Sequence, residues 1–264
     1  MTRYSPVPSH DRLTERARIM HLFLSPHLDD AIFSCGGLIA QLAPERVRVV
    51  TCFTQSVLQP QGFALACQTD KGLAADVDYM ALRREEDRQA CAHLGAECEW
   101  WDVAEAPHRG YDSAAKLFAE LLPTDEATIT ELENRLRHLL GRTYAQTVYY
   151  PYGAGDHVDH RLLIAAVARV KTDWPRVRWV QYYDQPYTNK FAHRYPDIDT
   201  APPQSLDTLR RALAPGVHRL PLPESAQDRK FRASAAYATQ VGFQFGGPHR
   251  IGKVLRGSEW YVAH

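Results

Sequence analysis

The chain lacks a long hydrophobic run and an excess of charge of either sign. None of its apolar segments approaches the roughly 20 residues that a membrane-spanning helix requires. Lys and Arg together number 31, as do Asp and Glu, so the formal net charge of this 264-residue chain is zero. A nucleic-acid surface or an anionic-membrane surface normally carries a basic excess. The sequence therefore predicts no integral membrane segment and no nucleic-acid partner.

Cysteine is also scarce, and no two cysteines have a C-x-x-C spacing. An odd number of scattered thiols is typical of reduced core residues rather than of a disulfide framework or a cysteine zinc site. Residues 1–18 are polar and contain proline, without the apolar stretch of a signal peptide. We therefore expect a cytoplasmic protein whose thiols are reduced; these are Cys35, Cys52, Cys67, Cys91 and Cys98.

What the chain does have is a regular alternation of strand-like and helix-like segments. Hydrophobic residues make up 45% of it, so a chain of this length can bury a large core without disulfides. Alternation of this kind predicts an α/β fold with a mostly parallel sheet and helices on both faces. The predicted strands are 20–24, 47–53, 99–103, 147–150 and 177–183, and the predicted helices are 30–42, 79–94, 127–140 and 158–171.

Two regions depart from this alternation. Residues 55–78 are polar and irregular, and they follow the second strand, so we expect either a substrate lid at that edge of the sheet or a disordered insertion. After residue 183 prolines interrupt the pattern, leaving a helix at 205–213, an extended piece at 217–222 and a helix at 224–240. We expect one domain over 1–264, with a core at about 20–183 and a C-terminal extension at about 184–264.

Two polar clusters follow two of the predicted strands. The run Ser25–Asp30, SPHLDD, follows the strand at 20–24, and the run His157–His160, HVDH, follows the strand at 147–150. The carboxyl ends of parallel strands form the edge of an α/β sheet where ligands bind. Either cluster alone would be explained by solvated histidines or a helix-capping loop. Because each directly follows a strand, the two together favour one divided metal site.

The types and spacing of these residues suit a catalytic zinc ion, which commonly has three protein ligands from His, Asp and Glu plus a water. His27 and Asp30 are three residues apart and can face the same way at a strand-to-helix turn. His160 is a further candidate ligand, and His157, three residues before it, is an alternative on the same helix face.

The remaining residues of the clusters can move protons. Asp29 cannot easily point the same way as Asp30, which leaves it free to act as a general base beside the metal. His157 would then lie near the substrate as a general acid or as a charged stabiliser of an oxyanion. Asp159 could hold His157 in the right tautomer and raise its pKa.

The sequence resembles the PIG-L/LmbE-like family of zinc-dependent N-acetylglucosaminyl de-N-acetylases. The resemblance lies in the run Ser25–Asp30 with the following Gly36-Gly37, and in HVDHR at residues 157–161. It extends to the helical segment LRREE at residues 82–86, which leads to His93-Leu94-Gly95, and to a C-terminal helix over 230–240. The similarity therefore covers most of the chain, and the paired motifs are specific.

The resemblance implies a Rossmann-like fold, one Zn²⁺ per chain and hydrolysis of an acetamide on an amino sugar, which gives a free amine and acetate. The matching positions are His27, Asp30 and His160 for the zinc ligands, Asp29 for the general base, His157 for a second catalytic residue and Asp159 for its electrostatic partner.

Three positions depart from the family pattern. Leu28 stands where the family commonly has proline, and Ala31 where it has glutamate; neither of these positions supplies a ligand. Gly155 stands where some members have a tyrosine that assists the oxyanion. Tyr152 is a candidate substitute, and His249 near the C-terminus is a further candidate group.

The leading hypothesis is a zinc-dependent de-N-acetylase that acts on an N-acetylglucosamine-containing small molecule. A second is a metal-dependent hydrolase of another amide in natural-product biosynthesis, which the insertion at 55–78 and the altered motif residues favour. A third is a nucleotide-binding module without hydrolysis, which the absence of a G-x-G-x-x-G fingerprint disfavours. The sequence leaves the substrate's conjugate, the physiological metal and the oligomeric state open, a homo-oligomer included.

Overall fold

The structure is a computed structural model that describes residues 20–43, 45–190, 192–211, 213–255 and 257–264. The segment 1–18, for which we predict no signal peptide, lies outside these ranges. The described residues form one seven-stranded sheet. Its strands are β1 (Met20–Ser25), β2 (Arg46–Thr51), β3 (Glu97–Trp100), β4 (Ala145–Pro151), β5 (Arg178–Tyr182), β6 (Gly216–Pro221) and β7 (Ser258–Ala263).

The sheet has the strand order β3-β2-β1-β4-β5-β7-β6. The first five strands in this order are parallel, whereas β7 runs antiparallel to both β5 and β6. The predicted α/β class with a mostly parallel sheet is therefore confirmed. The chain moves outward from β1 in one direction and then returns to place β4 on its other side. This switch point is where ligands bind in open α/β sheets.

Helices cover both faces of the sheet, as predicted. On one face the helices Asp30–Leu42, Tyr79–Leu94, Glu224–Ala235 and Ala238–Phe245 pack in one hydrophobic cluster. On the other face the helices Asp125–Arg142 and Val158–Val170 pack in a second. Among the described residues, no helix combines the length and the apolar character that crossing a bilayer would need. The helices are α1 (Asp30–Leu42), α2 (Gly62–Thr69), α3 (Tyr79–Leu94), α4 (Asp125–Arg142), α5 (Val158–Val170), α6 (Tyr187–Lys190), α7 (Asp197–Thr200), α8 (Leu206–Arg211), α9 (Glu224–Ala235), α10 (Ala238–Phe245) and α11 (Pro248–Leu255).

Local signals account for several helix boundaries. Helix α3 begins after Asp78, whose carboxylate accepts the Ala81 N–H, and it ends at Gly95 in the left-handed conformation. The bounds predicted for α1 and α3 are confirmed. Gly141, predicted to end a helix, instead lies inside α4, which continues to Arg142. Helix α4 needs no left-handed cap because its chain passes directly into an extended residue, Thr143.

The two irregular regions of the sequence are more regular in the structure. The insertion at 55–78 contains helix α2, which the polar composition did not predict. The helix predicted at 224–240 is divided into α9 and α10, and the final segment adds α11 and strand β7. The C-terminal residues complete the sheet that the first part of the chain begins. The predicted boundary between a core at about 20–183 and a C-terminal extension at about 184–264 stays a prediction.

A buried carboxylate joins the last strand to the first helix. Glu259 on β7 is fully buried and accepts four hydrogen bonds, from the N–H groups of Gly37 and Leu38, the Lys230 ammonium and the Tyr261 hydroxyl. Each of its oxygens accepts two of these bonds, which offsets the cost of burying the charge.

The glycines at 36 and 37 allow α9 and the turn before it to approach α1. A Cβ on Gly36 would lie 2.9 Å from Lys230 Cγ, and one on Gly37 would overlap the Leu222 side chain. The two glycines therefore let α1 pack closely against the C-terminal part of the chain, and not only against the sheet.

Replacing Glu259 by alanine should destabilise the fold strongly, because it leaves the Lys230 ammonium buried without its counter-ion. We expect the free energy of unfolding to fall by about 3–5 kcal/mol in urea denaturation. Glu97→Ala is the matched control, since Glu97 pairs with Arg48 at the surface and should change stability by less than about 1 kcal/mol. Equal effects of the two substitutions would contradict the role given to Glu259.

Candidate metal centre

The first cluster forms the turn between β1 and α1. Ser25 fixes this turn, since its hydroxyl donates to the His27 carbonyl at 2.6 Å and accepts the Ala31 N–H at 3.0 Å. The His27 N–H donates to Asp30 Oδ2 at 2.9 Å. The turn is therefore held by its own side chains, and it presents the imidazole and both carboxylates at the carboxyl end of β1.

The second cluster follows β4, the strand next to β1 on the other side of the switch point. In the connection before α5, three residues have a positive φ angle: Gly153, Gly155 and Asp156. A non-glycine residue in this conformation is uncommon and is often found at functional sites. The connection places His157 at the N-cap of α5 and His160 one turn later.

The two clusters meet at one carboxylate oxygen. Asp30 Oδ2 lies 3.2 Å from His27 Nδ1 and 3.2 Å from His160 Nε2. Nitrogen atoms of His27, His157 and His160 also all lie within 4.8 Å of one another. The structure therefore brings together every residue that the sequence proposes as a metal ligand, together with the alternative His157.

The outer nitrogens of two imidazoles are held by buried carboxylates. His27 Nε2 donates to Asp159 Oδ2 at 2.9 Å, and His160 Nδ1 donates to Asp184 Oδ1 at 2.7 Å. These bonds leave the lone pairs of His27 Nδ1 and His160 Nε2 pointing towards Asp30. Histidine ligands of metal ions are commonly oriented by a carboxylate in this way.

This arrangement fits a zinc ion. Two ligands that each lie about 2.1 Å from a tetrahedral zinc are about 3.4 Å apart, close to both spacings around Asp30. His160 Nε2 is buried and has no hydrogen-bond partner among the described residues. Two neutral imidazoles would aim their lone pairs at the Asp30 carboxylate, a repulsion that either a proton on the ring or a bound cation relieves. The donor set of two imidazoles and one carboxylate is also one that zinc enzymes use.

The electrostatics of the site favour positive charge. Burial lowers the pKa of His160, but the Asp30 and Asp184 carboxylates outweigh it and raise that pKa to about 9. Burial alone would raise the pKa of Asp30, yet the His160 and His27 imidazoles hold it well below its usual range. The carboxylates that hold protons on these rings would hold a divalent cation in their place.

Asp29 lies beside this group but faces a different partner. Its carboxylate is 3.9 Å from the Arg83 guanidinium, which also donates to Glu105 at 2.7 Å and to the Leu28 carbonyl at 3.4 Å. Burial and then the Asp30 carboxylate raise the pKa of Asp29 to about 7, against the opposing effect of Arg83. Arg83 therefore anchors the first loop rather than pairing with Glu86, which bonds to Thr239.

His157 is a neutral imidazole in this environment. Burial lowers its pKa to about 3, which outweighs the raising effect of the Asp159 carboxylate. The backbone N–H of Asp159 donates to His157 Nδ1 at 3.2 Å, so the ring carries its proton on Nε2. Burial therefore opposes the charged form of His157, which is one of the two roles expected from the sequence, and the catalytic role of this residue stays a prediction.

Asp159 is an electrostatic neighbour of His157, as predicted, and its carboxylate raises the pKa of that imidazole, but it does not hydrogen-bond to the ring. The Asp159 carboxylate lies 4.0 Å from His157 Nδ1. It bonds instead to His27, to the Arg109 guanidinium at 2.8 Å and to the Ala106 N–H at 3.2 Å. Asp159 is fully buried, and its carboxylate orients the His27 ring.

Tyr187, which lines the site cavity, comes from a segment that the motifs do not include. A Cβ on Gly155 would lie 3.1 Å from the Tyr187 ring, and Gly155 has a positive φ that disfavours side chains. The Tyr187 ring lies 6.2 Å from that of His160. Tyr152 stacks on Tyr183 instead. Tyr152 and the exposed His249 are absent from the lining of the site cavity.

The site opens into a cavity of about 220 Å³. Its floor carries the clustered histidines and carboxylates, and its wall includes two residues of the 55–78 insertion, Cys67 and Lys71. The Lys71 ammonium lies 5.4 Å from the Tyr79 ring and 5.2 Å from the Phe243 ring. The insertion therefore forms part of the cavity wall, and its function as a substrate lid stays a prediction.

Sequence reasoning missed two residues that support the imidazoles. Asp184 lies two residues after β5, so its position at a third strand end at the same sheet edge was a usable signal. Arg109 carried no such signal, because it lies in an irregular segment and reaches Asp159 across 50 residues of sequence.

Comparison with known proteins gives a family match over residues 22–171 to the PIG-L model, described as GlcNAc-PI de-N-acetylase. A 2'-N-acetylparomamine deacetylase of Streptomyces fradiae is 34% identical over 149 residues, which are 55% of this chain and 50% of that protein. The enzyme of the same name from Niallia circulans is 33% identical over 171 residues, which cover 56% of this chain and 61% of that one. The chain thus matches one half to three fifths of these relatives' lengths.

The fold is similar to that of a solved structure described as the zinc-inhibited form of teicoplanin deacetylase. The TM-score is 0.73 at 21% sequence identity, and the alignment covers 93% of this chain and 98% of the other. At this identity the likeness shows the fold.

Asp184→Asn should weaken zinc binding without unfolding the protein. Both oxygens of Asp184 accept hydrogen bonds, one from His160 and the other from the N–H groups of Gly153 and Ala154. An asparagine has only one oxygen, so its NH2 group would face at least one of these N–H donors. We expect zinc affinity to fall about 10- to 100-fold in a competition titration with a chromophoric chelator. Asp173→Asn, on the surface, should leave affinity unchanged. Unaltered affinity in Asp184→Asn would contradict the assignment.

Proposed function

Because the chain belongs to the PIG-L family of GlcNAc-PI de-N-acetylases, we propose that it is a zinc-dependent hydrolase. It removes the acetyl group from an N-acetylglucosamine-type amino sugar carried in a small-molecule conjugate. One zinc ion per chain is held by His27, Asp30 and His160. The observation that carries this proposal is the convergence of two carboxylate-backed imidazoles on Asp30 Oδ2, with Asp29 beside them.

The roles of the residues follow from their positions. A bound zinc ion would supply Lewis acidity, lowering the pKa of water towards about 7 and polarising a carbonyl oxygen. Asp30 and the two imidazoles hold the ion, while Asp159 and Asp184 keep the ligand nitrogens aimed at it. His157 is excluded from the ligand set in this proposal because its Nε2 carries a proton.

Asp29 moves the proton. Its carboxylate accepts a proton from the water that attacks the acetamide carbon, and it returns that proton to the nitrogen as the carbon–nitrogen bond breaks. The immediate products are acetic acid and the free amine, and the acid's proton passes to the amine to give acetate and an ammonium group, so one water molecule is consumed per bond. Arg83 keeps Asp29 in place while its own charge is balanced by Glu105.

His157 stabilises the oxygen of the acetamide. Its Nε2–H donates to the carbonyl oxygen, and this bond strengthens as negative charge develops there. The ring is fixed for this task because Nδ1 is bonded to the backbone and one ring edge packs against Phe118 at 5.6 Å.

The relatives named as deacetylases of 2'-N-acetylparomamine support an amino-sugar amide as the substrate. The lid residues Cys67 and Lys71 shape the cavity at a distance from the metal ligands. Because the insertion can change which substrate fits without changing the metal site, hydrolysis of another amide is the second candidate function.

Acetate release from a panel of amides tests the proposed function. The panel contains N-acetylglucosamine, its glycosides, 2'-N-acetylparomamine and acetamides without a sugar, each with and without a chelator. We expect turnover of the amino sugars, loss on chelation and recovery on adding zinc. Faster turnover of the sugar-free amides would favour the second candidate, and turnover unaffected by chelation would contradict a metal enzyme.

Asp29→Asn should abolish turnover while zinc stays bound. An amide cannot accept the proton of water, so we expect kcat to fall about 10²- to 10⁴-fold. Zinc content measured by metal analysis should stay at the wild-type level. Asp207→Asn, at an exposed position of α8, is the control with unchanged kcat. Retention of activity in Asp29→Asn would remove the proposed base.

His157→Ala should lower kcat about 10²- to 10³-fold, the usual loss for one oxyanion donor. His157→Gln, which keeps an N–H donor on its side chain, should lose less. Both variants should retain zinc. Loss of zinc from His157→Ala would instead make His157 a ligand, which is the alternative that the three-histidine cluster presents.

A further inference from the structure

The site cavity is too small to enclose a whole conjugate. Its volume of about 220 Å³ is below the range of about 300–1,000 Å³ that is typical of complete ligand sites. A second cavity of about 490 Å³ adjoins it, and the two share Phe118, Tyr187, Phe243 and Gln244 in their walls. A substrate whose acetamide reaches the metal centre can therefore extend into this outer cavity.

The two cavities differ in chemistry. The inner one contains the carboxylates and imidazoles of the site, the cations Lys71 and Arg83, and the aromatic rings that it shares with the outer one. Its polar groups suit the hydroxyl groups and the amide of a sugar. The outer one is lined by aromatic rings and by the cations Lys190 and Arg194, with Asp156 as its carboxylate. The Lys190 ammonium donates to the neutral amide of Gln244 and lies 5.7 Å from the Tyr187 ring.

Two phenylalanines stand exposed where the cavities meet. Phe118 is 46% exposed and Phe243 is 71% exposed. A single exposed apolar residue needs no explanation, but two that converge at the mouth of a catalytic cavity form an apolar surface typical of a binding site. Phe118 packs edge-on against His157, and Phe243 lies against the Lys71 ammonium, so both rings have ordered neighbours.

We infer that the outer cavity is an aglycone subsite for an aromatic group that is neutral or anionic. The inference rests on the proposed deacetylase function and specifies its substrate. The aromatic group attached to the amino sugar stacks on Phe243 and Phe118, and Lys190 favours a carboxylate or phenolate over an amine at its far end. Phe118, Phe243 and Lys190 are thus residues that determine specificity.

Kinetics with matched glycosides of N-acetylglucosamine test the stacking. We expect kcat/KM for the phenyl glycoside to exceed that for the methyl glycoside about 3- to 10-fold, mainly through KM, as aromatic-pair energies imply. Phe243→Ala should bring this ratio close to one, and Phe243→Tyr should preserve it. Tyr144→Ala is the matched control, since Tyr144 is 78% exposed just before β4, at the opposite edge of the sheet. A wild-type ratio near one, or a ratio that survives Phe243→Ala, would overturn the inference.

The charge preference is tested with para-carboxyphenyl and para-aminomethylphenyl glycosides. We expect the carboxylate to be favoured about 2- to 5-fold, the size of an exposed ion-pair contribution. Lys190→Gln should reduce this preference, whereas Lys171→Gln, in the turn that precedes β5, should not. A preference for the amine would overturn the assignment of Lys190.

A binding measurement separates failure of this inference from failure of the proposed function. Absence of acetate release from every glycoside would contradict the deacetylase activity. Calorimetry with the deacetylated phenyl and methyl glucosaminides reports on the outer cavity without turnover. Tighter binding of the phenyl compound that is lost in Phe243→Ala supports the subsite, and equal binding of the two overturns it.

Discussion

The convergence of two imidazoles on one carboxylate oxygen is the interaction on which the site depends. Asp30 Oδ2 accepts the His27 N–H and faces His27 Nδ1 and His160 Nε2. It thereby joins the turn after β1 to the first helical turn after β4. Strands β1 and β4 are neighbours because the chain places β2 and β3 on one side of β1 and then returns to add β4 on the other side. The sheet topology thus creates the distance of a few ångströms that a shared cation needs.

Burying this much charge requires a surrounding framework of counter-charges. Arg109 balances Asp159 behind His27, and Arg83 lies between Asp29 and Glu105. A buried charge without such a partner costs several kcal/mol. The same framework decides the chemical state of each group, because burial keeps His157 neutral whereas the carboxylates favour positive charge on the other two imidazoles. Similar side chains therefore have different roles within one small site.

The structure separates the chemistry of the site from its selectivity. The proposed metal ligands and the carboxylates that orient them lie at the carboxyl ends of β1, β4 and β5. The walls that a conjugate would contact come from the 55–78 insertion, the turn that contains Phe118 and helices α6 and α10. These segments can change without moving the ligands. Such a division is common in α/β enzymes, where loops at one edge of the sheet carry specificity.

The sequence by itself determined the strands and helices of the parallel half of the sheet, and the motif residues from His27 to His160. These follow from local patterns: apolar segments form strands, and polar residues after them reach one edge. Tertiary structure alone decided that Asp159 holds His27 rather than His157, that Arg109 and Asp184 complete the support, and that β7 joins the sheet in the antiparallel direction. Each of these depends on contacts between residues that lie 24 to 132 positions apart in the sequence. No local pattern encodes such contacts, because they form only when packing brings distant segments together.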